Sequence, residues 1–128
     1  MWRALALLSM ALVGIVQLLP GAVAFVPSLS RRFYGVALDD VTVALLTRHR
    51  AVLLALVGLL LFAAIPFPPL RAAAIAVALT SKLTYVALFA VGPTTTAEAA
   101  RVARVDMITA PLLLAAAAAF WLGGGLMM

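Results

Sequence analysis

Four long apolar segments dominate the sequence, and each is close to the length of a helix that crosses a membrane. They run approximately over residues 3–19, 40–65, 72–91 and 96–122. About 20 apolar residues span a bilayer as a helix, because only a helix or a closed barrel satisfies its own backbone there. The segments are continuous rather than alternating, which argues against a β-barrel. We therefore predict an all-α fold, an integral membrane four-helix antiparallel bundle that forms a single domain over residues 1–128.

The composition excludes the other broad classes of protein. Hydrophobic residues make up 67% of the chain, charged residues make up 10%, and cysteine is absent. Soluble domains are about half apolar and about one quarter charged, and a soluble chain of this length could not hide so much apolar surface. Intrinsic disorder is excluded by the same numbers, and a disulfide scaffold by the missing cysteines.

Capping residues and helix breakers predict where the helices begin and end. Asp39 and Asp40 precede the second segment, where a carboxylate caps a helix and favours its positive end. Pro20–Gly21 should end the first helix, so that residues 22–36 form an interfacial segment between helices one and two. Pro111 should bend the fourth helix.

The first segment is also similar to a secretory signal peptide. It begins with Arg3, continues with an apolar stretch and reaches an A-x-A pattern at residues 22–24. We expect the segment to be retained as the first transmembrane helix.

The basic residues are distributed unequally between the two ends of the predicted bundle. Side A denotes the end that holds both termini, and side B denotes the opposite end. Side A carries Arg3 and Arg71. Side B carries Arg31, Arg32, Arg48, Arg50, Arg101 and Arg104. Because cytoplasmic loops are enriched in Lys and Arg, we predict that side B is cytoplasmic and that both termini lie outside.

Three places in the apolar segments carry charge. They are Arg48-His49-Arg50, Lys82 and Asp106. A charge near the centre of a spanning helix costs at least ~2.5–3.5 kcal/mol, so each place is a candidate functional site. Counted from the side B ends, Arg48, Lys82 and Asp106 lie at depths of roughly 12, 14 and 15 Å, which puts them in one layer.

Helical phase predicts the direction of each charged side chain in this layer. Arg48 shares a stripe with small residues of the kind that line helix contacts in membranes. That stripe contains Ala44, Ala51, Ala55 and Gly58. Asp106 should face inward, and Lys82 continues a face with Tyr85, whereas Arg50 points away from Arg48 and should reach the interface. We predict that Asp106 pairs with Arg48, with Lys82 or with both.

Three interpretations of the layer remain open. The ion pair could do no more than fix helix register. Alternatively, surplus cations could bind an anionic headgroup, a carboxylate or a phosphate. The candidate ligand-binding residues are Arg48, His49, Lys82, Tyr85 and Asp106, with Arg50, Asp39 and Asp40 as structural charges. A third interpretation is a proton relay built on Asp106 and His49.

The sequence leaves three functional classes open. They are a non-enzymatic accessory or binding module, a small dimeric transporter with Asp106 as its coupling carboxylate, and a membrane enzyme. No nucleophile–base pair is visible, and His49 is the single histidine, so we expect no cofactor and no metal. The expected partners are the lipid bilayer, an anionic lipid or amphipathic small molecule, and a homo-oligomer or larger membrane complex, with no nucleic acid.

One stretch of the chain resembles a known family. It contains Phe33-Tyr34-Gly35-Val36, Asp39-Asp40, Leu45–Leu46 and residues 48–53, RHRAVL. This pattern resembles a family of small bacterial four-helix membrane proteins that are broadly DoxX-like. The resemblance implies a multi-pass protein of the bacterial inner membrane in which Arg48, His49, Arg50 and Asp106 form a shared centre.

Overall fold

The computed structural model describes residues 1–26, 28–34, 39–92 and 96–123, and this part of the chain is almost entirely helical. The helices are α1 (Trp2–Leu18), α2 (Ala22–Phe25), α3 (Leu29–Tyr34), α4 (Val41–Ala64), α5 (Arg71–Val91) and α6 (Ala97–Leu122). Four candidate spans, Trp2–Phe25, Val41–Ala64, Pro68–Val91 and Ala97–Leu122, are long and apolar enough to cross a membrane. The predicted all-α four-helix fold is therefore confirmed, and the chain is a small multi-pass membrane protein.

Side-chain caps fix the side B ends of two spans. The Asp40 carboxylate accepts a hydrogen bond from the Val43 amide at 2.9 Å, as the sequence predicted for the start of α4. The Thr96 hydroxyl accepts from the Ala99 amide at 3.1 Å at the start of α6. From there α6 continues as one helix through Pro111 to Leu122.

The α1 helix ends at Leu18, close to the predicted end before Pro20, but the membrane span does not end there. A 3-10 turn over Leu19–Gly21 leads directly into α2, so the first span continues to Phe25. Proline fixes φ near a helical value and lacks only one amide donor, and the tighter turn accommodates that loss. Gly21 allows the close approach to α4, because a Cβ there would lie 2.8 Å from the Ala55 Cβ. The connection across side B therefore begins after Phe25 and contains α3.

The four spans follow one another around the bundle in an up-and-down arrangement. α1 packs against α4 and α6, and α5 packs against the same two helices from the opposite corner. The short α2 packs against α4, and α3 packs against α6. Side chains from α1 and α5 are therefore brought together across the centre of the bundle.

The core is most continuous toward side A, where bulky side chains from all four spans meet. Its largest fully buried apolar residues include Met10, Val13, Leu61, Leu113 and Phe120. Many large apolar side chains on the outer faces of the helices are exposed. In a bilayer these faces contact lipid, which is why they need no protein partner.

Arg71 is buried at the side A end instead of facing the solvent. Its Nε donates to the Ala64 carbonyl at 3.2 Å, and its Nη2 donates to the Ile65 carbonyl at 3.0 Å. The guanidinium carbon also lies 4.6 Å from the centre of the Phe120 ring. A cation at the end of α4 binds the carbonyls that the helix leaves unpaired and faces the negative end of its dipole.

Candidate ligand-binding site

A buried polar cluster joins three of the four spans at the centre of the bundle. Lys82 on α5 is 1% exposed, and its Nζ donates to Asp106 Oδ1 on α6 at 3.0 Å. The same ammonium donates to Gln17 Oε1 on α1 at 3.1 Å. Lys82 therefore links α6 to α1, the helix at the opposite corner from its own, and its charge is balanced by the Asp106 carboxylate.

The cluster lies in a single layer of the bundle. Gln17, Arg50, Lys82 and Asp106 are each eight or nine residues from the side B end of their own span. At 1.5 Å per residue, the depth of this layer is roughly 12–14 Å. The prediction of one layer for Lys82 and Asp106, with an ion pair between them, is confirmed by their contact.

Gln17 was not predicted as part of the site. It is 4% exposed and holds one of the two hydrogen bonds made by the Lys82 ammonium. The sequence did contain a signal, because Gln17 is the one amide side chain in the first apolar segment. A polar side chain in a spanning helix faces the bundle interior in most membrane proteins, and that rule would have selected it.

The predicted pairing of Arg48 with Asp106 is wrong. Arg48 is exposed, and its Nε donates to the Ala24 carbonyl at 3.0 Å. The small-residue stripe of α4 does face a neighbouring helix, since Ala51 and Gly58 are buried. That neighbour is the first span, which continues past Pro20 to the level of Arg48. The guanidinium therefore reaches the end of α2 and not the bundle centre.

His49 and Arg48 lie on a second, shallow groove outside the bundle centre. The groove is lined by Ala24, Phe25, Asp39, Val41, Ala44, Leu45, Arg48, His49 and Val52. The predicted ligand-binding residues are thus divided between two places. Arg48 and His49 lie on this groove, while Lys82, Asp106 and Tyr85 lie at or beside the polar cluster.

Arg50 was predicted to reach the interface, but it turns toward the bundle. It is half-buried, and its guanidinium carbon lies 5.2 Å from the centre of the Tyr85 ring. The Tyr85 hydroxyl donates to the Ala99 carbonyl at 3.1 Å, which links α5 to α6. The Tyr85 ring therefore holds the Arg50 guanidinium on the bundle side of α4 through a cation–π contact.

A partly open cleft of about 440 Å³ adjoins the cluster, and all four spans contribute to its walls. Its apolar lining consists of Val16, Leu19, Pro20, Leu53, Leu54, Leu88, Val102 and Val105. Its polar lining consists of Gln17, Arg50, Ser81, Thr84, Tyr85, Arg101 and Asp106. A mostly apolar cavity of this size with a few polar groups is typical of sites for small organic ligands.

The positive charge of the cleft comes from two arginines. Arg50 and Arg101 line it, and Arg101 Nη2 also donates to the Arg32 carbonyl at 3.0 Å, which ties α6 to α3. The single lining carboxylate, Asp106, is already paired with Lys82. The sequence suggested more cations than Asp106 could neutralise in this layer. In the structure Arg48 lies elsewhere and Lys82 pairs with Asp106, so Lys82 is not an extra cation. The further cations that line the cleft are Arg50 and Arg101.

One buried donor in the polar cluster has no partner among the described residues. Gln17 Nε2 is buried and makes no hydrogen bond. An ammonium can only donate, so the Gln17 amide must present its oxygen to Lys82 and turn its NH₂ group away. A buried, unpaired donor is costly in free energy, so the amide accepts this cost in exchange for the hydrogen bond that its oxygen makes with Lys82.

The described ranges contain no group of three His, Asp or Glu side chains that could hold a metal ion. Gly35 and Val36, which carry part of the family resemblance, lie outside the described residues. No protein-family model, no curated protein and no solved structure matches the chain. The resemblance to DoxX-like proteins stays a prediction, and the functional argument rests on the cleft.

Proposed function

We propose that the protein is a non-enzymatic membrane module that binds an amphipathic anion in the cleft between its four spans. The observation that carries this proposal is the pair of arginines on a largely apolar cavity. The buried carboxylate nearby is already neutralised by Lys82, so the cleft keeps a net positive charge.

The two kinds of lining residue fit the two parts of such a ligand. Guanidinium groups form charge-assisted, often bidentate hydrogen bonds with phosphate and carboxylate groups. The leucine and valine side chains of the walls accommodate a hydrocarbon chain, and the partial opening lets that chain continue into the bilayer. The Arg50 guanidinium is held in place by the Tyr85 ring, so less conformational entropy is lost when the anion binds.

We further propose that the protein lies in the bacterial inner membrane with side B in the cytoplasm. The family resemblance supports the choice of membrane. The orientation follows from the six arginines near side B, since Arg71 at side A is buried against the carbonyls that end α4. Among the described residues, Arg3 is then the exposed basic side chain at side A. The difference in exposed basic residues between the two sides is therefore larger than the difference in their total number.

Two pairs of matched arginine variants test anion binding. The probe is oleyl phosphate, and its retention by the protein in neutral detergent is measured by native mass spectrometry. Arg50→Gln and Arg101→Gln should each weaken binding about tenfold or more, because a hydrogen bond to a charged group contributes about 1.5–3 kcal/mol. Arg48→Gln and Arg104→Gln remove the same charge from the same helices outside the cleft and should leave binding unchanged. Equal weakening by all four variants would show a diffuse electrostatic effect and overturn the proposal.

A further inference from the structure

We infer that the shallow groove at Arg48 and His49 binds a phospholipid whose headgroup carries a primary ammonium group beyond its phosphate, as ethanolamine phospholipids do. This groove and the cleft of the proposed function have no lining residue in common. The lipid is therefore a second ligand, and it is recognised by a different set of charges.

The groove lies on the outer surface of the bundle, beside the side B end of α4. Ala24 of α2 packs in one cluster with Ala51, which lies ten residues after the start of α4, and α2 ends one residue later. The first turns of α4 therefore extend toward side B beyond α2. They leave Phe25, Val41 and Leu45 exposed along the groove, where a bilayer supplies acyl chains as their neighbours. The groove measures about 690 Å³, which is within the range of sites for small organic molecules.

Arg48 supplies a cation without a counter-ion at this surface. Its Nε donates to the Ala24 carbonyl at 3.0 Å, which holds the guanidinium against the end of α2. The other N–H donors of the guanidinium make no hydrogen bond, and no carboxylate pairs with it, among the described residues. A cation on the outer face of a spanning helix is costly unless it is paired, and a guanidinium binds phosphate through charge-assisted hydrogen bonds. A phosphate therefore fits at Arg48, with the exposed imidazole of His49 beside it.

Asp39 supplies an anion at the outer end of the same groove. It is exposed and lies two residues before Val41, the first residue of α4, whereas Arg48 lies seven residues after it. Arg48 thus leaves α4 roughly 10 Å below the start of the helix. Side chains of a helix tilt toward its N-terminus, so the Arg48 side chain leaves the helix in the direction of Asp39. The groove therefore carries positive charge toward the acyl chains and negative charge toward the water.

A phospholipid with an ammonium group presents the complementary charges in the same order. Its phosphate lies next to the glycerol and the acyl chains, and its ammonium group lies further out. The charges of Arg48 and Asp39 cancel, so this groove does not favour a lipid that is only anionic. A primary ammonium group donates hydrogen bonds to a carboxylate, which a quaternary ammonium group cannot do.

A second copy of the chain does not satisfy these charges. In a two-fold dimer with its axis along the membrane normal, each side chain meets partner groups at its own depth. Arg48 would then meet the Arg48 region of the second groove, while Asp39 would stay nearer the membrane surface. The lipid carries a matching charge at both depths.

Two probes that differ only in methylation of the ammonium group test the inference. They are palmitoyl-oleoyl phosphatidylethanolamine and the corresponding phosphatidylcholine, and native mass spectrometry in neutral detergent measures their retention. We expect the wild-type protein to bind the ethanolamine lipid about tenfold more tightly, because only its ammonium group donates hydrogen bonds to Asp39. Asp39→Asn should reduce this preference to about twofold or less, because the carboxylate is gone.

Arginine variants test the phosphate end of the groove. Arg48→Gln should weaken the binding of both lipids about tenfold and keep the preference between them, because both carry the same phosphate. Arg104→Gln and Glu98→Gln remove the same charges near side B outside the groove, and they should change neither quantity.

The outcomes separate this inference from the proposed function. Equal retention of the two lipids by wild-type protein overturns the inference, because the ammonium group is then not recognised. Displacement of the ethanolamine lipid by oleyl phosphate would place it in the cleft and would also overturn it. If oleyl phosphate does not bind but the ethanolamine lipid is retained as expected, the proposed function fails and the inference stands.

The test also distinguishes the lipid from a second copy of the chain. Dimers in lipid-free detergent that Arg48→Gln dissociates would show that a second copy occupies the groove, and they would overturn the inference. The wild-type comparison of the two lipids needs no variant, so a variant that does not fold leaves the test intact.

Discussion

Lys82 is the residue on which the centre of the bundle depends. Its ammonium group is fully buried and touches both an anion and an amide oxygen. Burying an ion pair is itself expensive, so the pair is a poor source of stability, but removing one partner leaves an uncompensated charge in a low-dielectric environment. We therefore expect this ion pair to specify which helices meet, and at what depth, more than it adds to the free energy of unfolding.

A double-mutant cycle on this pair is the first prediction. Lys82→Met and Asp106→Leu should each lower the free energy of unfolding by about 3–5 kcal/mol, because each leaves a buried charge without its partner. The double variant should lose clearly less than the two single losses combined, since no charge then remains. The measurement is reversible unfolding in mixed detergent micelles.

Asp39→Asn is the control for this cycle. It removes a carboxylate from an exposed position outside the polar cluster and should lower the unfolding free energy by no more than about 1 kcal/mol, the usual effect of a charge near a helix end. Strictly additive losses from Lys82→Met and Asp106→Leu would contradict the description of the cluster as one interacting unit.

The sequence predicted part of this cluster, and the reason it missed the rest is specific. Depth could be counted from each helix end, so Lys82 and Asp106 were placed in one layer, and they do meet. Helical phase gives the direction in which a side chain leaves the axis of its own helix. It does not give which neighbouring helix lies in that direction. Arg48 was assigned the wrong surroundings because the first span continues through Pro20 and occupies the space beside it. For Arg50, the sequence did not show that the Tyr85 ring of α5 lies within reach.

At the scale of helices, glycines set how closely α1 and α4 approach. A Cβ on Gly58 would lie 2.9 Å from the Gly14 carbonyl oxygen and 3.2 Å from the Gln17 Cβ. A Cβ on Gly14 would lie 3.0 Å from the Phe62 ring. Small residues allow backbones in membranes to approach closely and gain van der Waals contact. Because Gln17 lies at this crossing, the approach also positions the amide that Lys82 binds.

Gly58→Val tests the crossing. The added side chain meets backbone at Gly14, so we expect the helices to separate and the unfolding free energy to fall by about 1–3 kcal/mol, the usual cost of overpacking. Ala73→Val adds apolar bulk at an exposed position of α5 and should change stability little. If Gly58→Val has the same free energy of unfolding in micelles as the wild-type protein, then α1 and α4 do not pack closely at Gly58, and the description of this crossing is wrong.

The helices themselves were largely predictable, because length and hydropathy are read directly from the chain. The cap at Asp40 and the merging of residues 41–64 into one helix are as expected. The end of α1 at Leu18 is also close to the prediction. The continuation of the span through Pro20 to Phe25 was not predicted, because the cost of proline in a helix depends on whether a tighter turn can replace the missing bond. Gly21 and its contact with Ala55 are tertiary features, so this outcome could not be judged from the first span alone.

For the molecule as a whole, the arrangement of charge along the membrane normal matters more than the net charge of +5. The arginines near side B surround an end that also holds α3 and the nearer part of the cleft. At side A the apolar core continues to the end of the bundle, and Arg71 is buried there. The distribution of charge is therefore asymmetric along the axis of the bundle, and the cleft opens nearer to side B.

Reporter fusions test this polarity. With side B in the cytoplasm, alkaline phosphatase fused after Met128 should be active in bacteria, and green fluorescent protein at the same position should not fluoresce. A fusion that ends at Asp40, on side B, should give the opposite pair of results. Fluorescence from the fusion after Met128 would reverse the assigned orientation.

The central position of Lys82 also constrains the order of events during biosynthesis. Insertion of α5 by itself would place an ammonium near the middle of the bilayer, at a cost of about 2.5–3.5 kcal/mol on insertion scales. The carboxylate that neutralises it follows 24 residues later, on the next helix. We expect α5 to wait at the translocon until α6 emerges, so that the two helices enter the lipid together as a hairpin.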